Sequence, residues 1–221
     1  MHMKLVTIML TLGLVSVLVL IVSVAFMFWK DRTYHQSEPY HRESDQPADV
    51  LVLYYSRSGN TEAMAREIAR TFQADIRYLD AEAYSLDYQG WRNAVGDASR
   101  HTESEIAPET VDITPYKLIF IGSPIWLFRP APPLWTFVEH TDFQGKPVVL
   151  FNTFNSRFKH GELAEFHAAV EKSNGRFLDH IYVRRGRIIW QKSGKILIRD
   201  TRKLLDARKS VWQQILQPSV D

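Results

Sequence analysis

The sequence predicts a three-layer, doubly wound α/β domain with a five-stranded parallel sheet, preceded by one N-terminal transmembrane helix. Three observations carry that prediction. Strand-like apolar runs alternate with helical patterns, the sign of βαβ crossovers and a parallel sheet. Three of those runs, VLVLYY, KLIFIG and PVVLFN, are almost continuously apolar, as strands covered on both faces must be. Residues 5–29 hold no charged side chain over twenty-five positions, whereas about 20 apolar residues suffice to cross the hydrocarbon core of a bilayer.

The N-terminal run is read as residues 1–30, a single-pass anchor. Phe26, Phe28 and Trp29 gather at its C-terminal end, where aromatic rings suit the membrane interface. A cleaved secretory signal is the competing reading. The run is much longer than the ~7–15 residues of a signal core, and no small-x-small cleavage site closes it. Lys30, Arg32 and Arg42 follow the span and Lys4 precedes it, a bias that places the C-terminal domain in the cytoplasm. Residues 31–47 are polar, carry two prolines and lack periodicity, so they read as a linker. Residues 48–221 are left for the domain.

Strands are expected at 50–55, 75–79, 117–122, 147–152 and 177–183. In 61–72, Met64, Ile68 and Phe72 fall four apart, with Ala65 and Ala69 on the same face, so a helix follows the first strand. Leu134, Phe137 and Val138 mark a helix over 132–140. Leu163, Phe166 and Val170 mark another over 161–173. Leu204, Leu205, Val211, Trp212, Ile215 and Leu216 mark a last one over about 200–216. Residues 80–116 offer a helix near 88–99 and then a long polar loop.

Composition narrows the chemistry. With 45% hydrophobic and 24% charged residues, the 221-residue chain is globular rather than disordered. It has no cysteine, which excludes disulfide frameworks, thiolate catalysis and cysteine-ligated metals. A net charge of +2 is too mild to argue for nucleic acid, and none is expected as a partner. His160 and His167 have no carboxylate or serine spaced to form a hydrolytic triad or a metal site.

Ligands of open parallel sheets bind beyond the carboxyl ends of the strands, and three loops leave such ends here. The first reads Ser56-Arg57-Ser58-Gly59-Asn60-Thr61. Either Ser58 or Asn60 merely caps the following helix, or the whole stretch cradles a phosphate at the helix start. A cap needs one such residue, and five of these six positions are uncharged polar residues or glycine, which favours the cradle. The Walker pattern and the GxGxxG fingerprint are both absent. The second loop, 122–133, reads GSPIWLFRPAPP and is expected to be neither helix nor strand. Trp126 and Phe128 could stack on a flat ring there, or serve as loop anchors. The third, 152–161, offers Thr153, Phe154, Asn155 and Phe158.

On these residues the chain resembles the flavodoxin-like family. Ser56 to Thr61 matches that family's phosphate loop at every position, directly after the first strand, and Gly122 to Trp126 resembles its loop after the third. The resemblance covers about residues 48–216. It implies a non-covalent FMN with its phosphate held at Ser56, Arg57, Ser58, Gly59, Asn60 and Thr61. Pro124, Ile125, Trp126 and Leu127 would line the ring, with Thr153, Phe154, Asn155 and Phe158 closing its other side. The third loop lacks the glycines common in the family, and the chain is not strongly acidic as many flavodoxins are.

The implied function is electron transfer by FMN at the membrane surface, to a redox partner protein or a lipophilic small-molecule acceptor. Two alternatives stand beside it: an NAD(P)H-dependent quinone or porphyrinogen-type oxidoreductase, and a flavin-free interaction module on the same fold. Ten basic residues between Arg184 and Lys209 are opposed within that segment only by Asp200 and Asp206. They read either as a solvated helix face and strand edge or as a patch drawn to anionic lipid.

Overall fold

The computed structural model describes residues 2–187 and 190–217. The chain divides into two compact units, Met1–Thr33 and Tyr34–Asp221. The first is a single helix, α1 (His2–Arg32). Within it Val6–Phe26 spans 21 residues at a mean hydropathy of 2.8, long and apolar enough to cross a membrane. At the helical rise those residues cover roughly 32 Å, against a hydrocarbon core of about 30 Å.

The second unit is built on a sheet of β1 (Val50–Tyr54), β2 (Asp75–Tyr78), β3 (Leu118–Trp126), β4 (Arg129–Pro130), β5 (Pro147–Phe154) and β6 (Arg176–Arg184). The strand order is β2-β1-β3-β5-β6, and every neighbouring pair along it is parallel. The five expected parallel strands are all present, and β4 adds a short antiparallel partner to the end of β3. Helices α2 (Asn60–Phe72), α3 (Tyr88–Arg100), α4 (Pro132–Glu139), α5 (His160–Lys172) and α6 (Gly194–Leu216) cover the sheet.

Alternation of side chains along the buried strands gives the sheet two apolar faces. Val50, Val52, Phe120, Val149 and Phe151 pack under Met64 and Ile68 of α2 and Leu197, Leu205 and Trp212 of α6. Leu51, Leu53, Ile119, Ile121, Val148 and Leu150 meet Ala94 of α3, Leu134 and Phe137 of α4, and Phe166 of α5. These two clusters form the three layers. Trp212 is 1% exposed against Phe72 and Phe120, and truncating such a side chain to alanine costs about 3–5 kcal/mol.

Three stretches depart from expectation. Residues 122–133 were expected to be irregular, yet β3 continues through Pro124 to Trp126 and returns as β4. The turn between them is made by Leu127 and Phe128, both at positive φ (44° and 79°). Pro130 is tolerated because β4 is a two-residue edge. The last helix begins at Gly194, six residues before the expected 200, with the Ser193 hydroxyl accepting from the Ile196 amide at 3.4 Å. Residues 34–47, expected to be a linker, lie along α2. Arg66 donates to the Ser37 carbonyl at 2.6 Å, Arg70 to those of Glu38 and Pro39, and the Tyr40 hydroxyl to the Ala74 carbonyl.

Candidate flavin site

At the carboxyl ends of β1, β3 and β5 a cavity opens where the strand order reverses, the position at which such sheets hold ligands. It is lined by Ser56, Arg57, Ser58, Asn60 and Thr61, by Pro124, Ile125 and Trp126, and by Thr153, Phe154 and Asn155. It is a narrow cleft open to solvent, with an empty volume, open mouth included, of about 370 Å³. Three segments far apart in sequence therefore converge as their places in the sheet dictate.

The first segment is not a conventional helix cap. Gly59 is the N-cap of α2 at φ 78°, and no side chain caps the helix. The Asn60 amide donates instead to the Ser58 hydroxyl at 3.1 Å. A β-carbon at Gly59 would stand 2.0 Å from the His35 carbonyl oxygen, so strand-to-helix geometry and the 34–47 strap both require glycine. His35 in turn donates its amide to the Ser58 carbonyl at 2.9 Å, holding the loop from behind. The first-turn amides and the positive end of the helix dipole thus face the cavity without a capping side chain.

Arg57 is committed elsewhere: its guanidinium donates to the carbonyls of Tyr84 (3.2 Å) and Ser85 (2.9 Å), tying the loop to residues 84–85. Thr61 and Thr153 are both buried, with their hydroxyls 2.8 Å apart. That bond joins the start of α2 to the end of β5.

Trp126 is half-buried and sits edge-on to Tyr55 (centroids 5.5 Å, 89°) and Tyr84 (5.2 Å, 83°). Burial, first of all, pushes both phenols above the ordinary tyrosine range, so they stay neutral supports. Leu127 and Phe158 are not part of the cavity lining. Leu127 is exposed at the hairpin tip. Phe158 packs on Phe154, His180 and Tyr182 at 5.2–5.5 Å, an aromatic cluster that braces the third loop.

The sequence profile of the flavodoxin family matches residues 49–193. The chain belongs to that family. A flavoprotein of Lactobacillus acidophilus NCFM, solved in complex with FMN, superposes on this flavodoxin with a TM-score of 0.53 at 24% identity, over 61% of this chain and 93% of the other. A candidate flavoprotein of Bacteroides uniformis superposes at 0.54 and 20% identity, over 71% and 99%. One of Bacteroides eggerthii does so at 0.52 and 22%, over 72% and 97%. These likenesses show the fold. No curated protein matches the chain in sequence.

One lining residue of this flavodoxin escaped the sequence reading. Arg185 is only 9% exposed and lines the same cavity. In the sequence it reads as one of the ten basic residues between Arg184 and Lys209. The signal was present in the alternation Ile181, Val183, Arg185, every second residue buried, which aims Arg185 inward. Elsewhere the basic segment meets carboxylates outside it: Arg202 bonds Glu67 of α2 at 2.6 Å, and Arg208 bonds Asp179 of β6.

Proposed function

We propose that this flavodoxin binds FMN non-covalently and passes electrons at a membrane surface to which α1 anchors it. The observation that carries the reading is the start of α2, opened by Gly59 without a side-chain cap and ringed by hydroxyls on the wall of a cavity. Such a helix start favours a phosphate through its free amides and its dipole. Ser56, Ser58, Asn60 and Thr61 add donors. Pro124, Ile125 and Trp126 line the cavity together with Thr153, Phe154 and Asn155, and a ring held there would lie against both segments. FMN supplies the redox chemistry when bound.

The chain's own contribution is positioning. Tyr55 and Tyr84 fix Trp126 in place before any ligand arrives. Among the described residues the lining includes no carboxylate or histidine, which favours electron transfer over acid–base turnover. The apolar span of α1 supports a single-pass anchor, and the basic residues that follow it support a cytoplasmic domain. A redox protein or a lipophilic acceptor is the expected partner. Leu127, exposed beside Trp126 at the hairpin tip, favours a second reading, an NAD(P)H-driven reductase of a quinone or porphyrinogen-type acceptor.

The test uses the full chain in detergent micelles, supplied with FMN and freed of excess. Flavin absorption bands that stay with the protein are expected. Turnover with NAD(P)H and a quinone would select the reductase. Chemical reduction followed by re-oxidation by acceptor, without NAD(P)H turnover, would select the carrier. Flavin bands that all pass into the wash would contradict both.

A further inference from the structure

We propose that residues 34–40 act as a clasp on the phosphate loop, with His35 as a positioning residue, so that docking of this strap and binding of FMN strengthen one another. The inference rests on the FMN reading above. It adds to the site a segment that the phosphate-loop motif does not contain. Both this segment and α6 lie outside the residues 49–193 of the family match.

The strap has no apolar rhythm of its own, and α2 supplies what orders it. Glu62, Arg66 and Arg70 stand four residues apart, so they form one stripe along the helix. Glu62, 6% exposed in the first turn, accepts from the Tyr34 hydroxyl. Arg66 donates to the Ser37 carbonyl at 2.6 Å and to the Ser37 hydroxyl at 3.0 Å. Arg70 reaches the carbonyls of Glu38 at 2.7 Å and Pro39 at 2.9 Å. An ionised partner in each of these bonds makes them the stronger kind. His35 is held by its backbone and by its ring. The amide donates to the Ser58 carbonyl at 2.9 Å. The ring fills the start of α6, where a β-carbon on Gly194 would stand 1.8 Å from Nε2.

The amide bond acts on the part of the loop with most freedom. Gly59 has no β-carbon and sits at φ 78°, so in an unrestrained loop the Ser58–Gly59 peptide could turn over at little cost. A trans peptide sets its N–H opposite its C=O. With the Ser58 carbonyl drawn to His35, the Gly59 amide is turned away from the strap. Ser58 and Asn60 on either side of it line the cavity. A loop fixed before its ligand arrives loses less freedom on binding. By linkage, a phosphate that selects this loop conformation tightens the strap by the same factor.

The experiment uses the full chain in micelles. Hydrogen–deuterium exchange is followed with and without FMN in peptides covering 34–40 and, for comparison, 209–216 at the end of α6. FMN titrations and apoprotein melts compare the wild type with H35A, H35P and R66Q/R70Q. FMN is expected to slow exchange in 34–40 and to leave 209–216 unchanged. H35P lacks the amide hydrogen, and R66Q/R70Q frees the strap without altering the cavity lining. Both are expected to bind FMN about 5- to 10-fold more weakly. H35A keeps the amide and is expected to retain most of the affinity. The exchange comparison needs no variant, so it decides the matter even where H35P fails to fold. The proposal is overturned if FMN leaves exchange in 34–40 unchanged or slows 209–216 equally. It is also overturned if R66Q/R70Q binds FMN as the wild type does, or if H35A loses as much affinity as H35P. A wild type that binds no flavin removes the FMN reading itself, and this proposal with it. A wild type that binds FMN while exchange in 34–40 stays the same removes this proposal alone.

Discussion

The hydroxyls of Thr61 and Thr153 meet at 2.8 Å in the buried floor of the cavity. One of the pair donates to the other, which leaves the second hydroxyl proton to point at a ligand oxygen. The bond therefore belongs both to the fold, joining α2 to β5, and to the site. T153V should lower stability by about 1–2 kcal/mol, because it leaves a buried hydroxyl without its partner. Replacing both by valine should recover part of that loss. FMN affinity should stay low in every variant that lacks Thr61. Chemical denaturation and FMN titration of T61V, T153V and the double variant test this, and additive stability losses would contradict the pairing.

The hairpin tip stores strain. Leu127 and Phe128 both hold positive φ, a conformation that two-residue hairpin turns ordinarily assign to Asn-Gly. Non-glycine residues in that region cost of order 1–3 kcal/mol each. L127N combined with F128G should therefore raise the melting temperature by several degrees, the opposite of what most paired substitutions do. If the exposed tip meets the electron acceptor, re-oxidation by acceptor should slow while FMN affinity changes little. A lower melting temperature would show that the Leu and Phe side chains stabilise the turn more than its backbone costs.

His180 gives the domain an acid limit. Its Nε2 donates to the Asn152 side-chain oxygen at 2.9 Å, since the Asn152 amide nitrogen is already committed to the Ser123 carbonyl. Burial pushes the imidazole down to about 4, opposed by Asp179 and assisted by Arg208. In the unfolded chain the ordinary value is about 6.5. Between those values the unfolded state binds more protons. The contribution is therefore complete above pH ~6.5 and is lost as the pH falls toward 4, by up to about 3 kcal/mol. In H180Q, which keeps a donor for Asn152, the drop in stability between pH 7 and pH 4.5 should be smaller than in the wild type. An identical drop would place the acid sensitivity elsewhere.

The parts of this architecture that follow from periodicity were legible in the sequence. Val50–Tyr54, the first half of β3 to Gly122, and β5 to Asn152 announce themselves as strands buried on both faces, and α2 by its four-residue spacing. What was hidden depends on tertiary partners. Pro124 suggested a break, yet it pairs in register with Thr153 at the end of the parallel ladder. The 34–47 strap has no apolar rhythm, because arginines bonding backbone carbonyls hold much of it in place. Arg184 and Arg187 beside Arg185 disguised an inward residue as part of a surface run. Phe158, set against the ring by the family resemblance, packs on His180 and Tyr182, partners that no local pattern announces.

The central claim is that SRSGNT holds the phosphate of a flavin rather than merely turning the chain. The most direct measurement is an FMN titration of the full chain in micelles, wild type against S58A/T61A, with the apoprotein melt of each recorded alongside. The account predicts saturable quenching of flavin fluorescence by the wild type, and a loss of FMN affinity in the double variant far larger than its loss of stability. Equal losses of affinity and stability, or a wild type that leaves FMN fluorescence unchanged, would contradict it.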